Sequence, residues 1–183
     1  STVAVSSLFL AWIPLLPAQI LLNNLLSDVP LLTIATDRVE PSWLRRPRRW
    51  NIGLIGRFMV WFGLLSAAFD LVLIGILLLV LRTGPELFRT AWFVESACSE
   101  ILVTFAIRSR APLWRSAPSP LLVAASLVCG AGVVALPFTG LGQRLFSFQP
   151  LPAPVLATVG AVLLGYLAAA EIAKRPFFRR HLP

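Results

Sequence analysis

An all-α membrane protein is the fold class the sequence predicts, with five transmembrane helices preceded by a truncated half-helix. Three observations predict it. The 183 residues are 57% hydrophobic and only 13% charged, whereas an average soluble domain is about half apolar and a quarter charged. The apolar residues fall into runs close to the roughly 20 residues a helix needs to cross a bilayer. The Lys and Arg between those runs alternate between abundant and sparse. This composition excludes an ordinary soluble enzyme, and also a disordered chain, which needs the opposite balance. The net charge of +8, from 16 Lys plus Arg against 8 Asp plus Glu, does not call for a nucleic-acid partner, because membrane proteins gather basic residues in cytoplasmic loops.

The first apolar piece, residues 3–13, is too short to span and is ended by Pro14 and Pro17. It reads as the end of a helix occupying residues 1–13, continued from something longer. Ser1 comes first and no basic region precedes the apolar stretch, so a cleaved signal peptide is not expected. Spans are then predicted over residues 19–35, 55–81, 87–107, 121–138 and 155–173, all within one domain of residues 1–183. The loops between them leave no room for a soluble catalytic domain. Arg38, Arg45, Arg46, Arg48, Arg49 and Arg57 follow the first span, Arg108, Arg110 and Arg115 the third, and Lys174, Arg175, Arg179 and Arg180 the fifth. Only Arg82, Arg89 and Arg144 fall on the other side. A multi-pass inner (plasma) membrane protein with a cytoplasmic C-terminus is expected, with the short loops around Gly84 and Gly140 facing outward.

Several features point to packing rather than chemistry. Cys98 and Cys129 lie inside apolar runs, which supports neither a disulfide framework nor a thiolate metal site. His181 sits in a basic tail, and there is no glycine-rich phosphate loop, nucleophile elbow or metal-spaced histidine pair. The six tryptophans, Trp12, Trp43, Trp50, Trp61, Trp92 and Trp114, mostly fall near span ends, as an interfacial belt would. Gly53 with Gly56, or Ala67 with Ala68, suit close helix contact. Arg45, Arg46, Arg48 and Arg49 could attract anionic lipid headgroups, although the topology rule already accounts for them.

The polar groups inside the spans carry the functional reading. Asp28, Asp70, Glu95 and Glu100 fall within the predicted hydrocarbon zone, where an acid at a helix centre costs roughly 2.5–3.5 kcal/mol. Groups this costly face a cavity or a partner. The densest cluster runs from Gln19 through Asn23, Asn24, Ser27 and Asp28 to Pro30. At about 100° per residue these four polar side chains cover an arc of about 140° on one helix. Pro30 removes one backbone donor and frees the carbonyl of Leu26. Carboxylate, amide, hydroxyl and free carbonyl oxygens are what a hard cation binds. The alternative is that Asn23 and its neighbours act as hydrogen-bonding glue between helices. Asp70 is equally suited to a structural hydrogen bond or a transport role. Glu95 and Glu100, five residues apart, point about 140° away from each other, so at most one should face a given site. Glu171, next to Lys174, snorkels or pairs locally.

From Leu16 to Asp28, the run Leu-Pro-Ala-Gln-Ile-Leu-Leu-Asn-Asn-Leu-Leu-Ser-Asp resembles the sixth membrane helix of cation-transporting P-type ATPases. Arg46-Pro-Arg-Arg-Trp-Asn51, Gly56-Arg-Phe-Met59, Phe62-Gly63 and Phe69-Asp70 are similar to the following loop and seventh helix of the bacterial magnesium-transporting subgroup. The segment from Thr90 to Ser96 and the run Ile107-Arg-Ser-Arg110 resemble its eighth helix and exit, and Ala135-Leu-Pro-Phe138 the end of its ninth. The likeness extends over essentially the whole chain, which would then be helices five to ten of such a pump. It implies Asn24 and Asp28 as cation-coordinating residues, with Asn23 and Ser27 beside them and Asp70, Glu95 and Glu100 as secondary intramembrane polar groups. Ser27 stands where the calcium branch has Thr and the magnesium branch often Tyr, Glu100 where a Gln is usual, and Leu64 where a Pro is usual.

The resemblance further implies Mg²⁺ as the transported ion, no cofactor held by this chain, and ATP with Mg²⁺ used by cytoplasmic domains. Its implied partners are the lipid bilayer and the remainder of the pump, with no nucleic acid. The phosphorylation motif Asp-Lys-Thr-Gly-Thr does not occur in the sequence, so enzymatic activity would belong to the assembled pump. Two alternatives stay open: a pump for Ca²⁺ or H⁺, and a non-enzymatic scaffold or regulator derived from a truncated pump. A phosphorylation domain encoded immediately upstream would separate pump from scaffold. A secondary carrier is disfavoured because the spans show no inverted repeat.

Overall fold

The computed structural model describes residues 13–36, 52–108 and 118–181, with side chains placed except at 52, 54, 55, 106–108 and 174–181. The expected half-helix up to residue 12, the arginines at 38, 45, 46, 48, 49, 110 and 115, and Trp12, Trp43, Trp50 and Trp114 lie outside the described residues. Every element among the described residues is helical, and none is a strand.

Helix α1 (Pro17–Thr33) starts on a proline, whose missing N–H is one the first turn could not have paired. Gln19 then folds back, its Oε1 accepting the Leu16 N–H at 3.0 Å. Pro30 lies inside α1, and a short 3₁₀ turn, Ile34–Thr36, ends it. Helix α2 (Ile52–Gly75) widens into a π-type turn at Ile76–Val80, after which Arg82 reverses the chain with φ 46°. Helix α3 is Pro85–Arg108. Helix α4 (Pro120–Ala135) is capped by Ser119, whose hydroxyl accepts the Leu122 N–H at 3.2 Å, and ends in the 3₁₀ turn Leu136–Phe138.

A short helix, α5 (Gly140–Phe146), occupies the place where the sequence suggested only a loop. Its cap is Thr139, which accepts the Gly142 N–H at 3.1 Å. Seven residues that include two glycines give no periodic signal, so this element rests on its cap and on close packing. A Cβ at Gly142 would collide with the Leu136 carbonyl oxygen. Helix α6 (Ala153–His181) runs eight residues past the expected end of the last span.

Helix α3 is the centre of the bundle. Helices α1 and α4 pack on each other and on α3, while α2 and α6 pack on each other and on α3. Its Phe88, Trp92, Phe93 and Ala97 are essentially inaccessible and meet Leu73 and Leu77 of α2, Val133 of α4 and Val159 of α6. Outside, large apolar side chains such as Met59, Trp61, Leu64, Leu79, Val128 and Leu164 are exposed. This surface is more apolar than a water-soluble monomer tolerates.

Three helical stretches are long and apolar enough to cross a membrane: Gly56–Val80, Pro120–Phe138 and Ala153–Ala173. Length and composition do not add α1, which has 17 residues, or α3, which carries Glu86, Arg89, Glu95 and Glu100. Among the described residues the expected close contact at Gly56 is not made, since a Cβ there would meet nothing within 4 Å. The tight approach is at Gly165 of α6, where a Cβ would lie 3.2 Å from the Phe69 ring of α2.

Candidate functional site

The polar stripe of α1 divides along its length. Asn23 is 6% exposed and its Nδ2 donates to Glu100 Oε2 of α3 at 3.0 Å. Ser27, one turn on, donates to the Asn23 carbonyl at 3.0 Å and stands within hydrogen-bonding reach of the Glu100 carboxyl. Asn24 and Asp28 are exposed, because each lies about 100° further round the helix than Asn23 and Ser27 respectively. No described helix covers them. The structure thus brings Asn23, Ser27 and Glu100 together, and leaves Asn24 and Asp28 side by side on an open face. Pro30, two residues beyond Asp28, is buried. Its missing N–H leaves the Leu26 carbonyl without its usual donor.

A second polar group sits deeper, between α3 and α2. Trp92 Nε1 donates to Asp70 Oδ1 at 3.3 Å, and the Glu95 carboxyl is within hydrogen-bonding reach of Asp70. Glu95 is 1% exposed, and its Oε2 has no hydrogen-bond partner among the described residues; the same holds for Asn23 Oδ1. Glu95 and Glu100 therefore serve different neighbours, α2 and α1, as their five-residue separation requires. Trp92 does not join an interfacial belt. It is buried because its ring packs edge-on to Phe88 at 5.8 Å and its N–H finds an acid inside the bundle. Trp61, at 60% exposure, does face outward.

Two residues at these polar groups were given no role by the sequence. Gln19 is wholly buried, and its Nε2 donates to the Phe146 carbonyl of α5 at 2.8 Å. The signal was its position four residues before Asn23, on the same stripe. Tyr166, the chain's single tyrosine, is buried on α6 with its ring edge against Phe69. Near the N-terminal end of α3, Gln149 donates its side-chain amide to Glu86 and its backbone N–H to Thr90 Oγ1. Arg89 Nε reaches the Ile13 carbonyl at 2.9 Å.

No group of three His, Cys, Asp or Glu residues among those described is arranged to hold a metal. A cation on α1 would take mostly amide, hydroxyl and carbonyl oxygens from it, with one carboxylate. A cavity of about 270 Å³ lies between α2, α3 and α6, with Glu100, Ser66, Ser99 and Tyr166 in its wall.

Residues 12–175 match the family model described as the C-terminus of cation-transporting ATPases. The chain belongs to this family. As a cation-transporting ATPase C-terminal region it is 36% identical, over 98% of its length, to "Magnesium-transporting ATPase, P-type 1" of Escherichia coli strain K12. It is 37% identical over the same share to the protein of that name from Salmonella typhimurium strain 14028s, and 32% identical to another from strain LT2. The chain spans 20% of the length of each of these relatives. The likeness to cation-transporting P-type ATPases read from the Leu16–Asp28 motif, and to their magnesium-transporting subgroup from the segments after it, therefore holds along the chain. In this ATPase region the motif is the inward flank and open face of α1.

Proposed function

We propose that this chain is the membrane-embedded C-terminal portion of an ATP-driven magnesium pump, and that α1 supplies part of its intramembrane ion site. Asn24 and Asp28 are the coordinating residues, flanked by Asn23 and Ser27. The observation that carries this reading is the pairing of Asn24 and Asp28 on a face of α1 left open by every described helix. An uncovered aspartate at lipid depth costs roughly 2.5–3.5 kcal/mol. The rest of the pump, packed over that face, would turn this cost into an ion site.

Mg²⁺ dehydrates reluctantly, keeps several waters and is held by one or two carboxylates. One carboxylate and the neighbouring Asn24 amide suit such a partly hydrated ion, whose other ligands would be water and the rest of the pump. Asn23 and Ser27 hold the inward flank of α1 against Glu100, so a tilt of α1 relative to α3 would alter how Asp28 is presented.

Five crossings are part of this proposal. Helices α1 and α3 join α2, α4 and α6, in an order that puts the C-terminus in the cytoplasm of the inner membrane. The polar content of α3 is no obstacle, because four helices surround it and its carboxyls meet protein rather than lipid. ATP hydrolysis belongs to domains outside this chain.

The test is substitution in the full-length pump reconstituted in vesicles. Asp28→Asn, which keeps the volume and removes the charge, is expected to abolish Mg²⁺-stimulated ATP hydrolysis and Mg²⁺ uptake, and Asn24→Ala to weaken both. Uptake by D28N at the unsubstituted rate would remove Asp28 from the mechanism. Stimulation by Ca²⁺ or a pH gradient in place of Mg²⁺ would reassign the ion.

A further inference from the structure

The cavity between α2, α3 and α6 combines features that neither an acyl chain nor a metal ion matches. Its wall carries the stacked rings of Phe58 and Phe62, with centroids 4.2 Å apart, and the ring of Tyr166. Glu100, Ser66 and Ser99 line the same space. Glu100 receives a hydrogen bond from Asn23, with the Ser27 hydroxyl within reach, but has no cationic partner among the described residues. The space opens outward beside Gly63, whose missing side chain leaves it clear: a Cβ there would meet nothing within 4 Å.

A hydrated divalent ion needs about six oxygen ligands, and one carboxyl with two hydroxyls among aromatic rings falls short. A wholly apolar occupant would bury the carboxylate without compensation, which is costly. An ammonium group carried on an apolar body meets every requirement: charge for the carboxylate, ring faces for the cation, and apolar walls for the rest. The volume of about 270 Å³ lies just below the usual range of about 300–1,000 Å³ for ligand pockets, which restricts the body to a small one.

We infer that this cavity is a binding site for a small amphiphilic primary ammonium ion, reached from the bilayer side and held by Glu100. An occupant there touches the same carboxyl that Asn23 holds, so it would bias the seating of α1. The binding itself does not depend on the pump reading and is measured directly.

The experiment uses the full-length protein in nanodiscs, with 2-phenylethylammonium as probe and the neutral 2-phenylethanol as control, followed by calorimetry. The unsubstituted protein is expected to bind the ammonium in preference to the alcohol. Glu100→Gln, whose amide oxygen can still accept from Asn23, should weaken ammonium binding by about tenfold or more and leave the alcohol unaffected. Gly63→Leu should fill the cavity and abolish binding of both, with unchanged thermal stability. Equal affinity for ammonium and alcohol would overturn the assignment, as would undiminished ammonium binding by either variant. Nanodiscs of phosphatidylethanolamine and of phosphatidylglycerol separate the natural sources. Competition by the former alone assigns the site to a lipid headgroup, and equal probe affinity in both assigns it to a free amine.

Discussion

Asn23 and Glu100 form the contact on which the geometry of α1 turns. Asn23→Leu would leave the Glu100 carboxyl without its amide donor, and an unmade hydrogen bond of this kind costs about 1–3 kcal/mol, more for a charged group. The expected result is a lower thermal unfolding temperature for N23L. The double variant N23L/E100L should recover part of the loss, because removing both partners of a buried polar pair is cheaper than orphaning one. A double-mutant cycle on the purified protein measures that coupling. Glu95→Gln tests the other polar group. Two carboxyls in hydrogen-bonding reach share a proton, and the Gln amide can donate to Asp70 in its place, so E95Q is expected to change the stability of the bundle by less than about 1 kcal/mol. A larger fall in unfolding temperature would show instead that Glu95 has a different role at that contact.

At the scale of the element, α1 is a helix weakened on purpose in its second half. Proline inside a helix costs about 3 kcal/mol relative to alanine, yet Pro30 sits within α1 two residues after Asp28. Pro30→Ala is expected to raise the thermal stability of the full-length protein while lowering the Mg²⁺-stimulated turnover proposed for it, since the restored N–H would reclaim the Leu26 carbonyl. Equal turnover would confine Pro30 to a packing role. Helix α5 fails in a different way. Gly142→Ala would press a methyl group onto the Leu136 carbonyl and is expected to destabilise the α4–α5 turn, read as a loss of folded protein after extraction. The ends of α1 to α4 fall close to the predicted spans because long apolar runs mark them. Helix α5 was illegible, since its seven residues carry no period and its stability comes from a cap and a neighbour's carbonyl.

For the whole molecule, the question is what holds helices together where lipid is as apolar as they are. Apolar contact brings no hydrophobic gain between helices in a bilayer, so close fit and polar contacts decide the arrangement. That explains why the most polar long helix, α3, is the one all four others surround. It also explains why Gly165 against Phe69 and Gln19 against α5 recur as contact points. The basic residues argue for orientation at this same scale. A fluorescent protein fused after Pro183 is expected to fold and fluoresce, as it does only on the cytoplasmic side, whereas a periplasmic phosphatase fused there should be inactive. The reverse pattern would invert the topology. The 183-residue chain purified alone should hydrolyse no ATP, because it carries no phosphorylatable motif.

The amino-acid sequence by itself determined the helical membrane class, the places of the long helices, and the stripe on α1 with its proline. These follow from composition and from a 3.6-residue period, which are properties of a single stretch of chain. Which side of that stripe is covered, which of Glu95 and Glu100 faces α1, and where Trp92 turns its N–H were decided only by the tertiary structure. A side chain's direction on a helix is local, but what stands opposite depends on how separate helices rotate and pack against one another.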